Sequence, residues 1–250
     1  MSFDWSVLAA PLAAGLIVSA MHVPLGRRVI ERGIIFIDLT IAQVAALGAV
    51  LAEVWDLGGH GWASHLPDAV AAFAAAALLA WTAKRFPDVQ EALIGTLYVV
   101  AASAAVLAVA HNPHGGEHLD ELLSGQILWV SPREVIAVAV VFAPLLAVWA
   151  FWGRHRELAF YFLFAIAVVA SVRVVGVFLV FATLILPALA AHGVPGGRGL
   201  AIGYGVAAGG YALGLWLSVP LDLPAGPLIV VTLAALALLV AIARLAAGRR

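Results

Sequence analysis

Long runs of apolar residues, each about as long as a membrane-crossing helix, follow one another along most of this chain. An α-helix needs about 20 apolar residues to cross the hydrocarbon core of a bilayer. The pattern predicts nine such segments: residues 5–21, 34–55, 69–83, 91–110, 135–152, 158–172, 174–191, 200–219 and 227–243. The predicted fold class is therefore all-α, a polytopic transmembrane helical bundle that forms a single domain over residues 1–250.

Composition supports a membrane protein rather than a water-soluble one. Hydrophobic residues make up 64% of the chain and charged residues 11%, more apolar surface than one soluble core of this length could bury. Alternating polar and apolar strands are absent, which argues against a membrane β-barrel. The formal net charge of -1 gives no basic surface, so nucleic acid is not an expected partner. Without cysteine, disulfides, thiolate metal sites and cysteine nucleophiles are excluded.

The basic residues between the apolar segments predict how the chain is oriented. Lys and Arg collect in the cytoplasmic loops of membrane proteins. Nearly all basic residues of this chain fall in alternate loops, and only Arg133 and Arg173 fall in the others. The N-terminus is therefore predicted outside and the C-terminus inside, with the acidic and histidine-rich loops on the outer face.

A single acid interrupts the second apolar segment. A charged side chain in hydrocarbon is so costly that Asp38 is expected to face a bundle interior or a water-filled path. Helical spacing puts Ala42, Ala45 and Ala49 on its face, so another helix or a cavity can come close. Gln43 points to another side of the helix. The alternative is that Asp38 lies at the cytoplasmic water boundary, solvated or capping the helix.

His22 lies at the predicted end of the first segment, in the same half of the membrane as Asp38. The two side chains could meet if their helices pack together. An imidazole with a carboxylate is a ligand set that suits zinc, manganese or iron. A solvated histidine at the membrane boundary is the alternative.

The densest group of metal-binding side chains lies between the fourth and fifth segments, on the predicted outer face. It contains His111, His114, Glu117, His118 and Asp120. These imidazoles and carboxylates could bind a divalent transition metal. No standard zinc spacing is matched, and a proline and two glycines prevent one continuous helical face. A solvated loop with incidental histidines is the alternative.

Arg173 is the only charge between residues 158 and 191, a run too short for two comfortable spans. Interrupted helices are common beside transport paths, because protein or water covers the irregular backbone there. Gly176 marks the predicted break. The alternative is a tight extracellular turn from which the Arg173 side chain extends outward to water.

Four separated stretches resemble one family, the integral-membrane permeases of ABC transporters for zinc, manganese and iron. They contain PLGRR, GIIFID and AQVAALG (within 24–48), LLSGQILWVS (122–131), VRVVGVFLVFATLILPA (172–188) and DLPAGP (222–227). These motifs span nearly the whole chain in the family's order. Each motif alone is weak evidence, and together they are strong evidence.

The resemblance implies a transport subunit that is not itself an enzyme. Such a permease lies in the bacterial inner membrane, forms a homodimer, docks cytoplasmic ATP-binding subunits and receives metal from a periplasmic binding protein. It implies no permanently bound cofactor; the divalent metal ion, zinc before manganese or iron, is the substrate. The missing GxxxxGK phosphate-binding motif agrees with ATP hydrolysis on a partner.

Two departures from the family's pattern limit what can be carried over. Typical members have an Asp and a His four residues apart in the second span. With Gln43 matched to that His, Leu39 stands at the Asp position and Asp38 comes one residue early. The chain looks like the variant branch in which a His, here His22, follows the first span and the outer loop reads PHGGEH.

The second departure concerns the cytoplasmic stretch before the sixth span, which forms the coupling helix in typical members. Here it is only residues 153–157, which contain Arg154, Arg156 and Glu157. We therefore expect Arg85, Pro87, Asp88 and Gln90, or the turn at 192–198, to share the contact with the ATPase.

Two other functions are compatible with the same residues. A proton-coupled secondary metal carrier could work through Asp38, without an ATPase. An intramembrane metal-dependent hydrolase could use the outer histidine cluster, but the chain lacks both an HExxH motif and a GxSxG nucleophile turn.

Overall fold

Helices make up nearly all of this computed structural model, which describes residues 5–55, 66–109, 127–153 and 157–247. Within these ranges there are nine α-helices and no strand, so the all-α prediction is confirmed. The helices are α1 (Ala9–Arg32), α2 (Ile37–Val54), α3 (Leu66–Arg85), α4 (Gln90–Val109), α5 (Pro132–Val148), α6 (Glu157–Val175), α7 (Val177–Ala190), α8 (Gly196–Leu221) and α9 (Ala225–Ala247). Short 3-10 turns at Trp5–Leu8, Pro87–Val89 and Ile127–Trp129, and a π-turn at Trp149–Gly153, flank them.

Seven of the helices in the described ranges are long and apolar enough to cross a membrane. These seven are α1, α2, α3, α5, α6, α8 and α9. The other two helices have shorter apolar stretches, Leu93–Ala102 in α4 and Val177–Ala190 in α7. The transmembrane bundle is therefore confirmed, and the count of nine spans stays a prediction.

The first helix is longer than its apolar segment predicted. The prediction ends the segment at residue 21, whereas α1 continues through Pro24 to Arg32 and is followed by the capping residue Gly33. Neighbouring helices surround this stretch, and a proline is tolerated where the protein covers the freed backbone carbonyl. Ten residues therefore separate His22 from the end of the helix, about 15 Å along its axis. The predicted position of His22 at the end of a span is wrong.

Helix α1 lies at the centre of the bundle, in contact with α5, α6, α7 and α8. Helices α2, α3 and α4 pack together on one side of the bundle, and α3 also packs on α6. Helix α9 packs on α7 and α8. Close approach of α1 and α7 depends on Gly26, because a Cβ there would overlap the carbonyl oxygen of Leu184. The backbones of these two helices are thus in direct contact.

Two arginines fix the turn between α7 and α8. Arg27 of α1 donates to the carbonyl oxygens of Val194 and Gly196 at 3.0 and 3.1 Å. Arg244 of α9 donates to those of Ala190 and His192 at 2.7 and 3.0 Å. Cations at the last carbonyls of a helix are favourable. Three stretches predicted to be cytoplasmic therefore lie together at one end of the bundle.

Candidate functional site

A small set of polar side chains is buried inside the apolar bundle. The buried hydroxyls of Ser19, Thr82 and Ser218 donate to carbonyl oxygens of their own helices, so each is satisfied locally. Other buried polar groups lie between helices, among them Thr40, Thr183 and Thr232, whose hydroxyls contact a second helix. Three interhelical places in the described ranges contain a buried ionisable side chain. They are the pair of Asp68 and Arg173, the pair of His22 and Ser171, and Asp38.

Asp38 lies in the first turn of α2, at the end of the helix, and is only 1% exposed, so a solvated carboxylate is excluded, and it makes no capping hydrogen bond in the described structure. Neither carboxylate oxygen has a hydrogen-bond partner among the described residues. The positive end of the helix dipole is the carboxylate's main compensation there. A buried acid without a hydrogen-bond partner is costly, which is expected at a site that binds a cation or a proton.

The side of α2 on which Asp38 lies follows from its neighbour Thr40. Thr40 donates to the carbonyl oxygen of Ile94 in α4 at 3.0 Å. Asp38 is two residues earlier and so about 200° away around the helix, on the side turned from α4, and α2 also packs on α3, α6 and α7. Ala42 and Ala45, predicted on the same face, are buried with it. The carboxylate therefore faces the interior of the bundle.

His22 is completely buried where three helices meet. Its Nδ1 lies 2.9 Å from the carbonyl oxygen of Val18, and its Nε2 lies 3.2 Å from Ser171 Oγ in α6. The ring stacks on Phe142 of α5 with 6.0 Å between ring centroids. The alternative of a solvated histidine is therefore wrong.

The structure does not bring His22 to Asp38. No hydrogen bond or ion pair joins them, and the described ranges contain no group of three or more His, Asp or Glu that could hold a metal ion. The reason is the length of α1, which carries His22 about 15 Å along the axis from the end where Asp38 lies. The two side chains therefore do not form one site in this structure.

Asp68 and Arg173 join α3 to α6 beside the break at Gly176. Arg173 Nε donates to Asp68 Oδ2 at 3.0 Å, and Asp68 Oδ1 is buried without a partner in the described structure. The predicted break is confirmed, because α6 ends at Val175, Gly176 has a φ of 81° and α7 begins at Val177. Arg173 pairs with Asp68, a partner that sequence reasoning did not assign to it.

Ser171 precedes Arg173 by two residues, about 3 Å of helix rise. The His22 and Ser171 pair therefore lies at nearly the same depth as the Asp68 and Arg173 pair, on the other side of α6, because two residues are about 200° apart around a helix. Asp38 lies towards the opposite end of the bundle, in a helix that also packs on α6.

The remaining predicted residues are placed as follows. Gln43 is buried in α2, at 7% exposure, while Arg85, Pro87 and Asp88 are exposed at the end of α3 and the turn after it. Gln90 is buried and donates to the carbonyl oxygen of Leu79 at 3.1 Å, so the expectation that it contacts an ATPase is wrong. Glu157 begins α6. Residues outside the described ranges are His111, His114, Glu117, His118, Asp120, Arg154 and Arg156.

The long apolar helices define a multi-pass membrane protein with polar groups buried between its helices. The chain belongs to the ABC 3 transport family, which matches residues 4–163 and 153–244. The curated proteins include no significant match to it.

Two solved structures share its fold. PsaBC from Streptococcus pneumoniae, solved in complex with Fab, aligns with 20% sequence identity and a TM-score of 0.74 over 95% of this chain and 91% of that chain. A metal-chelate type ABC transporter in an inward-facing conformation aligns with 16% identity and a TM-score of 0.65 over 94% and 85%.

Proposed function

We propose that this chain is the membrane-spanning permease subunit of an ATP-driven importer of divalent transition-metal ions and provides their translocation path. Family membership supports a transport subunit, and the metal-chelate type neighbour supports the class of cargo. The observation that carries the metal assignment is Asp38, a buried carboxylate with no hydrogen-bond partner among the described residues. Its charge can replace part of the water that a cation loses on entering the membrane. Zinc is the first candidate, before manganese and iron.

The outer histidine cluster is proposed as the capture site that feeds this path. His111, His114, Glu117 and His118 offer a partly hydrated cation ligands on the predicted outer face. Asp120 would stand next to them, and Gln43 and Arg173 are proposed as further pathway residues.

Uptake of radioactive zinc and manganese by cells tests both proposals. Cells that lack this chain should lose high-affinity uptake of one of the two metals. Substituting His114 and His118 by Ala should weaken uptake about 10-fold at limiting metal and little at high metal, as expected for a capture site. Unchanged uptake after loss of the whole chain would contradict the metal assignment.

A cytoplasmic ATP-binding subunit and a periplasmic metal-binding protein are the proposed partners, with a homodimer of this chain in a bacterial cytoplasmic membrane. No permanently bound cofactor is proposed. The inner end of the bundle offers the exposed residues Arg85 and Asp88, and the turn that Arg27 and Arg244 hold. A cavity of about 380 Å³ lies beside that turn. A rigid turn next to a recess is a suitable contact surface for a force-transmitting subunit.

Cross-linking locates that contact. Single cysteines at Asp88 and at His192 should cross-link to a co-expressed ATPase, because both are exposed at the proposed inner face. A cysteine at Trp129, which is 77% exposed and predicted on the outer face, is the matched negative control. Cross-links confined to cysteines at Arg154 to Glu157 would show that the shortened loop makes the contact alone.

Labelling from outside tests the orientation on which these assignments depend. In the cysteine-free chain, Trp129→Cys should react with a membrane-impermeant thiol reagent in intact cells, and Lys84→Cys should react only after lysis. Both side chains are exposed, so access and not burial decides the result. Labelling of Lys84→Cys in intact cells would show that the predicted orientation in the membrane is wrong.

A proton-coupled secondary carrier remains the second candidate, and Asp38 is the observation that favours it. A buried acid without a partner can exchange a proton as well as a metal ion. The two functions differ in their energy source, which transport in purified vesicles separates.

A further inference from the structure

The ring of His22 is fixed in one orientation by its surroundings. The carbonyl oxygen of Val18, 2.9 Å from Nδ1, can only accept a hydrogen bond, so Nδ1 carries a proton and donates it. Stacking on Phe142 holds the plane of the ring. Histidines that bind metals usually have this arrangement, in which the second ring nitrogen donates to a carbonyl and the first points at the ion.

The second ring nitrogen carries a lone pair. The side chain is completely buried, and no acid pairs with it within the described residues. A buried imidazolium without an anion is costly, so the neutral ring is the stable form. With its proton on Nδ1, the neutral ring has its free lone pair on Nε2, directed at Ser171 Oγ 3.2 Å away.

The single hydroxyl proton of Ser171 has acceptors in two directions. It can be donated to Nε2 of His22, or to a carbonyl oxygen of its own helix, either that of Ala167 or that of Val168 at 3.3 Å. Donation to Nε2 satisfies the imidazole when the site is empty. Donation to Ala167 directs the oxygen lone pairs towards the nitrogen lone pair. Rotation about one side-chain bond therefore converts a hydrogen-bonded pair into two ligands.

The separation of these two atoms suits a shared metal ion. With metal–nitrogen and metal–oxygen distances of about 2.1 Å, atoms 3.2 Å apart subtend an angle of roughly 100° at the ion. That angle lies between the ideal tetrahedral value and the octahedral value. The separation of the two atoms is therefore compatible with one shared ion.

We propose that His22 Nε2 and Ser171 Oγ form a transient two-ligand site for a divalent transition-metal ion inside the bundle, an inference that rests on the proposed transport function. The imidazole favours zinc, iron or manganese over calcium and magnesium. Both ligands are neutral, so the ion is held weakly and can move on, as passage through a multi-site path requires. Asp38 supplies the negative charge that these two ligands lack, and it lies further along the proposed path, towards the predicted inner end.

Cadmium binding to the purified full chain tests the geometry. Ser171→Cys replaces the hydroxyl with a thiolate in a chain that has no other cysteine, and should bind Cd²⁺ with a thiolate charge-transfer absorption. Adding His22→Ala should weaken this binding at least about 10-fold. Ser19→Cys is the matched control, because Ser19 is also buried and bonds its own helix carbonyl, that of Gly15, at 2.7 Å. Equal binding by the Ser171 and Ser19 variants, or no dependence on His22, would overturn the site.

Two nearly isosteric substitutions test the role of the hydroxyl in transport. Ser171→Thr keeps the oxygen and should retain most zinc uptake, whereas Ser171→Val removes it and should raise the KM for zinc about 10-fold. Similar losses in both variants, or a KM increase in Ser171→Val that is accompanied by an equal loss of thermal stability, would indicate a structural serine and contradict the proposal. Because cadmium binding needs neither ATPase nor transport, its outcome is independent of the proposed function. If the site binds cadmium but the chain carries no metal, only the function is wrong.

Discussion

Asp38→Asn is expected to reduce metal uptake about 100-fold or more while the protein still inserts into the membrane. The substitution keeps the size of the side chain and removes only the charge. If the carboxylate contributes about 3 kcal/mol to holding the cation, its loss corresponds to roughly a hundredfold in rate, at about 1.4 kcal/mol for each tenfold. Folding should not suffer, because the carboxylate has no hydrogen-bond partner to lose among the described residues.

Uptake of radioactive zinc, with membrane levels of the protein measured in the same cells, checks this expectation. Glu53→Gln is the matched control, since Glu53 is an exposed acid near the opposite end of the same helix. It should leave uptake within about twofold of the unmodified chain. Normal transport by Asp38→Asn would exclude the acid from the path and move the proposed site to the outer loop and the region of Arg173.

Gly26→Ala is expected to be the most damaging single-methyl change in the bundle. The added Cβ would overlap the backbone carbonyl oxygen of Leu184, which cannot rotate away as a side chain would. Overpacking of a buried contact typically costs about 1–3 kcal/mol, and a backbone obstacle puts this variant at or above that range. Helices α1 and α7 would have to separate, which also moves the buried His22. Loss of thermal stability in detergent is the direct measurement.

Gly205→Ala is the control for the stability of the Gly26→Ala variant. Gly205 lies within helix α8, and an added Cβ there would meet no atom within 4 Å. Alanine is favoured over glycine in a helix interior by about 1 kcal/mol, so this variant should be as stable as the original chain or slightly more stable. Similar melting of the two alanine variants would show that α1 and α7 do not approach as closely as the structure has them.

Hydropathy was enough to predict the class of fold and the position of most helices. Long apolar runs identify membrane helices because every backbone group must be satisfied within the segment itself. The same pattern could not give the length of α1. Arg27 and Arg28 lower the hydropathy after residue 23, but the helix continues because Arg27 finds carbonyl partners in the turn before α8.

The buried polar contacts depend on which helices become neighbours, and that information is not local. Asp38 could be identified because one acid stands out in an apolar run. Ser171 has no such mark, since a single serine in an apolar helix usually bonds its own backbone. Its contact with His22 joins residues 149 positions apart. The pair of Asp68 and Arg173 could have been suspected from two opposite charges on the same predicted face.

ATP-dependent metal transport in proteoliposomes tests the central claim most directly. The purified chain, reconstituted with its ATPase, should move zinc or manganese across the vesicle membrane only when ATP is supplied to the ATPase side. A pH gradient alone should give no transport, and Asp38→Asn should abolish the ATP-dependent signal. Metal movement driven by a pH gradient without ATP or ATPase would contradict the account and identify a proton-coupled carrier.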